Sequence, residues 1–340
     1  MNMHATIKPL PHVSVIMSVY NNAPYLDAAI DSILKQSFHD FEFLILNDGS
    51  TDGSEEKIDA WANRDSRIRP LHQENRGFIY SLNRLLTLAR APILARMDGD
   101  DISMPDRFQK QIDWLDAHRD HGAVGTWQES IDEHGAVMSG ETQTPATHAE
   151  VMERVASGPL GYNNNIIMHS SLMVRRTCMD AVGGYHAAFR HCEDYDLWLR
   201  LTEVTKLGNI PEKLVQYRRY AGQVSQKHLA EQATNALIAH MAYKERAAGK
   251  PDPLSGHATM PPLDDLDALF GPGTAKAIRA QIVPLILYSP SALAGDAFAM
   301  MLRHVKDGGD TDGLWRTVAR LAKLGEPRRS ARLALALLGA

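Results

Sequence analysis

Three carboxylates, Asp98, Asp100 and Asp101, follow a hydrophobic run at residues 92–97. In extended backbone, residues two apart point to the same side, so we expect Asp98 and Asp100 to face one ligand and Asp101 to face away. Like charges this close repel unless a positive group joins them, and carboxylate oxygens suit a divalent cation. A short acidic pattern is also typical of a solvated turn, so other stretches decide between the two interpretations.

A carboxylate and an aromatic residue end two other predicted strands. Asp48 follows the run 41–46, and Tyr20 closes the run that begins at Val13. The carboxyl edge of a parallel sheet is where open α/β folds bind ligands. There Asp48 could accept hydrogen bonds from a nucleotide base, and Tyr20 offers a flat face for stacking. The alternatives are a plain turn with a helix cap for Asp48 and a half-buried strand end for Tyr20.

Two later stretches carry charge. Glu193 and Asp194 open a predicted helix, where the helix dipole favours negative charge and is expected to lower a carboxylate pKa. They are interpreted either as caps or as a site for a general base. Arg218 and Arg219 follow a predicted strand, a pattern that suits recognition of phosphate oxygens but is also typical of a solvated loop.

Taken together, these stretches resemble the inverting glycosyltransferases of family two, which have the GT-A fold and use nucleotide-diphosphate sugars. The resemblance covers roughly residues 11–225. It depends on four segments: the opening strand Val13–Asn21, the base-binding turn Leu46–Asp52, Asn75-Arg76-Gly77 after the third strand, and Asp98-Gly99-Asp100 as the D-x-D motif.

The resemblance implies a role for each matching residue. Asp194 would be the general base, and Asp100 would hold Mn²⁺ or Mg²⁺ bound to the diphosphate. Contacts with the nucleotide are implied for Ser18, Tyr20, Asn21, Asp48, Arg76, Arg96 and Asp98. Contacts with the diphosphate are implied for Arg218, Arg219 and Tyr220, and contacts with the sugar or acceptor for His169, Ser170 and Glu193.

One residue departs from the family pattern. Many members carry a histidine two residues after the arginine of the Tyr-Arg motif, where it reaches the metal or the diphosphate. In this sequence that position is Tyr220, which can donate a hydrogen bond to phosphate but is a poor ligand for Mn²⁺. We therefore expect Asp100, the diphosphate and water to hold the metal, with Arg218 or Arg219 adding charge and the loop up to Ser225 closing over the donor.

The first hundred residues alternate between strand and helix patterns, as in a doubly wound parallel sheet. Strands are predicted at 13–20, 41–46, 67–71 and 92–97, with helices between them, one of them capped by Asp52 and Glu55. The predicted fold is α/β of GT-A type: a Rossmann-like mixed sheet with central parallel strands flanked by helices, and a C-terminal helical appendage.

Beyond Asp101 the alternation stops, which predicts a mixed arrangement. We expect helices at 105–118 and 193–202 and strands at 123–127, 166–174 and 214–217. Helical patterns dominate from about residue 227. A boundary near Gln226 would separate a catalytic domain, 1–226, from a mainly helical region, 227–340.

The composition is that of an ordinary globular chain. Its 340 residues are 44% hydrophobic and 23% charged, and a net charge of −5 gives no reason to expect nucleic acid as a partner. Cys178 and Cys192 are expected to be small core residues in a reducing cytoplasm. Met1–Leu10 lacks the pattern of a secretory signal, and the apolar segment Ile282–Tyr288 is too short and too interrupted to cross a bilayer.

The last helical segment is strongly basic. Between Trp315 and Leu338 it carries six cationic residues against one acid, Glu326: Arg316, Arg320, Lys323, Arg328, Arg329 and Arg332. Basic helices with a leucine-rich face can lie on the inner face of an anionic membrane, which would suit a lipid-linked acceptor. Equally, the leucine stripe could pack on the catalytic domain or on a second subunit of a homo-oligomer.

The function predicted from this resemblance is metal-dependent transfer of a sugar from a nucleotide-diphosphate sugar, most commonly a UDP-sugar in this family. The acceptor would be a hydroxyl of a glycan or lipid-linked molecule in polysaccharide or lipopolysaccharide synthesis. A nucleotidyltransferase would need a glycine-rich basic loop after the first strand, and Asn21-Asn22-Ala23-Pro24 is not one. The other alternative is a non-catalytic module that binds sugar nucleotides. The presence of Asp98, Asp100 and Asp194 argues against it.

Overall fold

The computed structural model describes residues 10–160, 165–220, 228–289, 293 and 297–339, with residues 140–142 as backbone only. The strands within these ranges are β1 (Val13–Val19), β2 (Phe41–Asp48), β3 (Ile68–Gln73), β4 (Ile93–Arg96), β5 (Ile102–Ser103), β6 (His121–Ile131), β7 (Val137–Thr142), β8 (Met173–Arg175) and β9 (Lys206–Arg218).

Helices flank the strands and dominate the C-terminal part. They are α1 (Ala23–Leu34), α2 (Ser54–Ala62), α3 (Phe78–Leu88), α4 (Arg107–Ala117), α5 (His148–Ser157), α6 (Arg176–Ala181), α7 (Glu193–Thr202), α8 (Leu229–Ala247), α9 (Leu266–Phe270), α10 (Thr274–Ile286), α11 (Ala297–Lys306), α12 (Leu314–Lys323) and α13 (Pro327–Leu338). Within the described ranges, short 3₁₀ turns lie at His169–Ser171 and Leu263–Asp265.

The chain divides into two compact units. One contains the whole sheet and runs through His186 and again from Asp194 to Tyr220. The other contains the segment Ala187–Glu193 and the helices from α8 onward. The boundary predicted near Gln226 falls outside the described residues and stays a prediction, as does the absence of a secretory signal in the first nine residues.

The first half of the sheet is parallel, as predicted. Strands β3, β2, β1 and β4 lie side by side in that order, and each pair runs parallel. All seven residues of β1 and all eight of β2 are buried because helices cover both faces, which explains their nearly continuous apolar sequence. The strand pairing places the ends of β1, β2 and β4 at one edge of the sheet.

The second half is mixed, again as predicted. β8 pairs antiparallel with β4 and with β6, whereas β6 and β9 run parallel. β5 ends the strand order opposite β3 and pairs antiparallel with β9. These pairings bring the segment after β4 next to the end of β9, and so join stretches more than a hundred residues apart.

Two predicted strands differ from the observed ones. Within the stretch 166–174, the 3₁₀ turn His169–Ser171 replaces most of the strand, because the Ser171 hydroxyl donates to the Met168 carbonyl at 2.8 Å and competes with sheet pairing. The strand predicted at 214–217 is the end of the longer β9. Gly208 and Pro211 obscured its first part, where the register with β6 is irregular.

The predicted cap of α2 is wrong. Asp52 accepts hydrogen bonds from the amides of Ala23 and Ser54, and Glu55 accepts one from the side chain of Asn47. The helix instead starts after Gly53, whose φ of +91° is one that glycine adopts without strain. Cys192 is buried as expected, whereas Cys178 is only half-buried, and both are free thiols.

The predicted helical C-terminal region is present from α8 to α13. Among the described helices, none combines the length and the apolar character that crossing a membrane requires.

Candidate active site

The three carboxylates after β4 lie on a turn, not on a strand. Oxygens of Asp98, Asp100 and Asp101 all lie within 4.8 Å of one another. The expectation that Asp101 faces away is therefore wrong. It assumed extended backbone, but β4 ends at Arg96, and the chain then turns across the edge of the sheet.

Arg96 holds the first of these carboxylates. The Arg96 guanidinium is 3% exposed and donates through both Nη atoms to the two oxygens of Asp98. Burial acts to lower the pKa of Arg96, but the charge of Asp98 outweighs it and the net pKa is raised, so the arginine stays charged. This bidentate pair fixes the orientation of the Asp98 carboxylate.

Asp101 is enclosed beneath the turn. Its carboxylate is 1% exposed, accepts the Arg218 backbone amide at 2.9 Å, and lies within hydrogen-bond distance of the Ser170 hydroxyl. The same hydroxyl lies 2.6 Å from Asp98. A hydroxyl has one proton, so both contacts are satisfied when Asp101 itself is protonated. This agrees with burial and the neighbouring Asp100, which raise the pKa of Asp101 well above its usual value.

Asp100 faces Tyr220. The Tyr220 hydroxyl donates to Asp100 Oδ2 at 2.9 Å. Burial and the charge of Asp98 raise the pKa of Asp100 to about 6, although the tyrosine hydrogen bond lowers it. The tyrosine that replaces the family histidine thus contacts the carboxylate assigned to the metal.

Arg107, which sequence reasoning missed, supports the turn from below. It is fully buried at the start of α4 and donates to the backbone carbonyls of Ser170 at 2.7 Å and Arg96 at 3.1 Å. Burial and the nearby Arg96 lower its pKa to about 9. The sequence did contain a signal, because a cation in the first turn of a helix opposes the helix dipole and indicates a tertiary role.

Asp48 lies at the end of β2, as predicted, and both of its carboxylate oxygens accept hydrogen bonds from the protein. It is 2% exposed and accepts the Gln73 side chain at 2.6 Å and the amides of Arg76 and Gly77 at 2.8 and 2.9 Å. These bonds attach the turn before α3 to β2. Its contact with a nucleotide base stays a prediction.

The turns after β1 and β2 are tied together beside Asp48. The Asn21 amide donates to Ser50 Oγ at 2.9 Å, and the Thr51 amide donates to Asn21 Oδ1 at the same distance. Gly49 has a φ of +74°, and a Cβ there would lie 2.7 Å from the amide of Asn75. Only glycine fits this close approach of two turns.

The side chains at this rim differ in exposure. Tyr20 is 51% exposed and Ser18 is 8% exposed. The Arg76 guanidinium lies 4.7 Å from the ring of Tyr80. The exposed face of Tyr20 is therefore open to a stacking partner, and the nucleotide contacts of Ser18, Tyr20, Asn21 and Arg76 stay predictions.

The two arginines after β9 have different surroundings. Arg218 is 4% exposed and donates to the backbone carbonyls of Asp100, Asp132 and Glu133 at 2.8, 3.0 and 3.2 Å. These bonds argue against a direct contact between Arg218 and a diphosphate. Arg219 is exposed, with its Nε 3.1 Å from Ser130 Oγ. The loop predicted to close, after Tyr220, lies outside the described residues.

Asp194 is half-buried near the start of α7, and its Oδ1 accepts the Tyr195 amide at 2.7 Å. Burial raises its pKa, and the Tyr195 amide and the charge of Arg96 only partly offset this. The expected lowering by the helix dipole is therefore wrong, because desolvation outweighs it. The charges of Arg96 and Asp98 both act on Asp194, which places it in the same electrostatic environment as the acidic turn.

The neighbouring predicted acceptor residues are buried. Glu193 is 9% exposed. His169 is 8% exposed, and its Nε2 lies 2.9 Å from the Tyr185 hydroxyl. The centroid of its ring lies 6.2 Å from that of Phe78 and 6.1 Å from that of Trp198. Burial lowers the pKa of His169 well below its usual value, so it is neutral. Ser170 lies under the acidic turn, and the sugar or acceptor contacts of all three stay predictions.

The donor set of the turn fits a hard divalent cation. Asp98, Asp100 and Asp101 offer oxygens only, and these lie close enough to share one ion. Burial and repulsion from Asp98 raise the pKa of Asp100, and a cation would relieve that repulsion. The residues present therefore fit Mn²⁺ or Mg²⁺.

A mixed α/β sheet with an acidic turn at its carboxyl edge is an arrangement that can hold a nucleotide and a metal ion, and comparison with known proteins gives the family. The model of the family described as "Glycosyl transferase family 2" matches residues 14–183. The O-antigen biosynthesis glycosyltransferase WbnJ of Escherichia coli is 31% identical over 229 residues, which span 66% of this chain and 86% of WbnJ. The chain therefore belongs to glycosyl transferase family 2.

Two solved structures share the fold. One is the mannosyltransferase PcManGT of Pyrobaculum calidifontis in complex with GDP-Man and Mn²⁺, with a TM-score of 0.53 at 18% identity. The match covers 97% of this chain and 87% of the PcManGT chain. TarS 1–349 of S. aureus, in complex with UDP-GlcNAc, has a TM-score of 0.55 at 14% identity and covers 92% of both chains. The fold is thus of GT-A type, as predicted.

Proposed function

We propose that this protein is an inverting glycosyltransferase that moves a sugar from a nucleotide-diphosphate sugar to a hydroxyl of a glycan or lipid-linked acceptor. The observation that carries the proposal is the cluster of Asp98, Asp100 and Asp101 at the carboxyl edge of the parallel strands. UDP is the preferred nucleotide, from the family resemblance and from a structural neighbour that binds UDP-GlcNAc. The GDP-Man complex of the other neighbour makes GDP the first competitor.

The donor would bind across the edge of the sheet. Tyr20 offers its exposed face to the base, and Asp98, oriented by Arg96, accepts the ribose hydroxyls. Arg219 and Tyr220 are assigned to the diphosphate, because Arg218 is engaged with backbone carbonyls. Arg218 then acts as a positioning residue that holds the acidic turn against the end of β9.

Transfer would be a single in-line displacement. Asp194 accepts the proton of the acceptor hydroxyl as its oxygen forms a bond to the anomeric carbon. The bond from that carbon to the diphosphate breaks on the opposite face, and the leaving nucleoside diphosphate takes the electron pair, so the configuration inverts. A raised pKa makes Asp194 a stronger base than an ordinary aspartate.

Asp100 is assigned to a bound divalent cation, with Asp98 and Asp101 beside it. When bound, Mn²⁺ or Mg²⁺ would neutralise the charge of the leaving diphosphate. The similarity to an O-antigen biosynthesis enzyme supports a role in making cell-surface polysaccharide or lipopolysaccharide.

A nucleotide panel tests the proposed donor. UDP, GDP and ADP are each added with and without Mn²⁺, and the melting temperature is measured. A nucleotide at 100 times its Kd stabilises the fold by about 2.7 kcal/mol. At about 2–4 °C per kcal/mol for a domain of 150–250 residues, this raises the melting temperature by about 5–11 °C. We expect the largest shift for UDP with Mn²⁺. If none of the three nucleotides gives a metal-dependent shift, the proposed function is wrong.

We also propose that the last two helices contact an anionic membrane, where a lipid-linked acceptor would lie. On α12, Arg316, Arg320 and Lys323 are exposed at a spacing of four and three residues, so they share one side of the helix. Trp315 is 52% exposed beside them. On α13, Leu335 and Leu338 are 69% and 74% exposed. Cations next to exposed aromatic and aliphatic side chains suit the interface of an anionic bilayer.

Vesicle co-sedimentation tests this contact. The full chain should bind vesicles with 30% anionic lipid and not neutral ones. Each Lys or Arg near the surface contributes about 1 kcal/mol, so Arg316→Gln with Lys323→Gln should weaken binding about 30-fold. The matched control is the double variant Lys250→Gln with Lys276→Gln, which removes two other exposed lysines and should bind like wild type. Equal loss in both variants, or dimerisation without vesicle binding, would exclude a membrane-specific surface.

A further inference from the structure

Two histidines and a glutamate converge in the second compact unit, outside the site described above. His191 lies in the segment Ala187–Glu193, His228 precedes α8, and Glu231 lies in the first turn of α8. One potential ligand atom from each side chain lies within 4.8 Å of the other two. The two histidines are far apart in sequence, so the fold brings the three groups together.

The distances approach those of a coordination shell. His228 Nδ1 lies 3.4 Å and His191 Nε2 lies 3.8 Å from the same oxygen, Oε2 of Glu231. In a tetrahedral zinc site with bonds of about 2.0–2.1 Å, neighbouring ligand atoms lie about 3.3 Å apart. The two rings are stacked, with centroids 4.1 Å apart and planes 23° from parallel. The two distances to Glu231 Oε2 are therefore within about half an ångström of the ligand spacing of such a site.

An unsatisfied nitrogen points to a missing ligand. His191 Nε2 is buried and has no hydrogen-bond partner among the described residues. Glu231 Oε2, at 3.8 Å, is too far from it for a hydrogen bond. A buried nitrogen without a partner is costly, and a metal ion at its lone pair would satisfy it.

We propose that His191, His228 and Glu231 bind a Zn²⁺ ion, with water as the fourth ligand. Two imidazole nitrogens and one carboxylate oxygen suit zinc, whereas the all-oxygen cluster of Asp98, Asp100 and Asp101 suits Mn²⁺ or Mg²⁺. The ion would fasten the segment Ala187–Glu193 to the start of α8. This segment runs directly into α7, so zinc would restrain the chain three residues before Asp194.

Zinc content measures the site without reference to sugar transfer. Untagged full-length protein is stripped with a chelator, equilibrated with Zn²⁺ alone, passed over a desalting column, and analysed by inductively coupled plasma mass spectrometry. We expect one Zn²⁺ per wild-type chain. Loss of one ligand should weaken binding by more than about 100-fold, since removal of an outer-shell partner already costs 10- to 100-fold. His191→Ala and His228→Ala should therefore retain no zinc.

Two control variants separate this site from other zinc binding. His134→Ala removes a histidine that is 83% exposed and lies outside the cluster, and it should keep one Zn²⁺. Asp100→Asn should also keep it, because the acidic turn is a different site. Circular dichroism checks the fold of each variant. If a histidine variant fails to fold, Glu231→Gln is used in its place, because the Glu231 side chain is 42% exposed and its substitution disturbs the fold less.

The proposal fails in either of two results. Folded wild-type protein that retains no zinc after equilibration with Zn²⁺ and desalting would exclude the site. Equal zinc in wild type and in the folded ligand variants would place the ion elsewhere. Neither result bears on sugar transfer, so the two proposals stand or fall separately.

Discussion

Asp194→Asn should nearly abolish sugar transfer and leave nucleotide binding intact. The amide has the shape of the carboxylate but cannot take the proton of the acceptor hydroxyl, and loss of a general base typically costs about 10²–10⁴-fold in rate. The proposed donor contacts lie on the turns after β1, β2 and β4 and after β9, which this substitution leaves unchanged. Nucleoside diphosphate release measures turnover, and calorimetric titration with UDP and Mn²⁺ measures binding.

The neighbouring carboxylate separates the base from an acceptor contact. Glu193→Gln changes the preceding residue of α7 by the same chemistry, and because Glu193 is assigned to the sugar or acceptor, we expect it to raise the KM for the acceptor and to keep most of kcat. Asp116→Asn, at an exposed aspartate of α4, controls for loss of one negative charge. If Glu193→Gln abolishes transfer and Asp194→Asn does not, Glu193 is the base and our assignment is wrong.

The pH dependence of turnover tests the assignment of Asp194 independently. A base must be deprotonated to act, so the turnover of the wild type should fall as pH drops through the pKa of Asp194. Because burial raises that pKa, the fall should lie at higher pH than for an ordinary aspartate. The residual turnover of Asp194→Asn should lack this acidic limb. An unchanged acidic limb in the variant would assign it to another group.

The parallel half of the sheet was predictable because its signals are local. β1 and β2 are nearly continuous apolar runs, and Asn22 and Pro24 mark the turn into α1. Once four parallel strands are inferred, topology alone places Asp48 and Asp98 at one edge. The family motifs then supplied roles that the pattern by itself could not.

The hydrogen-bond partners of the site were not predictable, because they join distant parts of the chain. The Arg218 amide reaches Asp101, 117 residues away, and the Arg107 side chain reaches the carbonyl of Ser170, 63 residues away. Periodicity assigns faces within an element but says nothing about partners across the fold. The turn at Asp101 shows the same limit, since alternation of faces holds only while the strand continues.

Asp100→Asn should remove the metal dependence of donor binding without destabilising the fold. The substitution takes one oxygen ligand of full charge from the acidic turn, and charge stabilisation by a bound metal is worth several kcal/mol in such reactions. We therefore expect turnover to fall by about 10³-fold or more, and the Mn²⁺-dependent gain in UDP affinity to disappear. Titration of UDP with and without Mn²⁺ measures this gain directly.

The stability of this variant separates loss of metal from misfolding. Asn keeps an oxygen that can accept a hydrogen bond from the Tyr220 hydroxyl. Burial and repulsion from Asp98 raise the pKa of Asp100, and a neutral amide avoids both costs. The metal-free melting temperature should therefore equal or exceed that of the wild type. Asp106→Asn removes an exposed charge six residues away and should retain the full response to Mn²⁺. A variant at Asp100 with a normal melting temperature and an undiminished Mn²⁺ response would show that this carboxylate does not hold the metal.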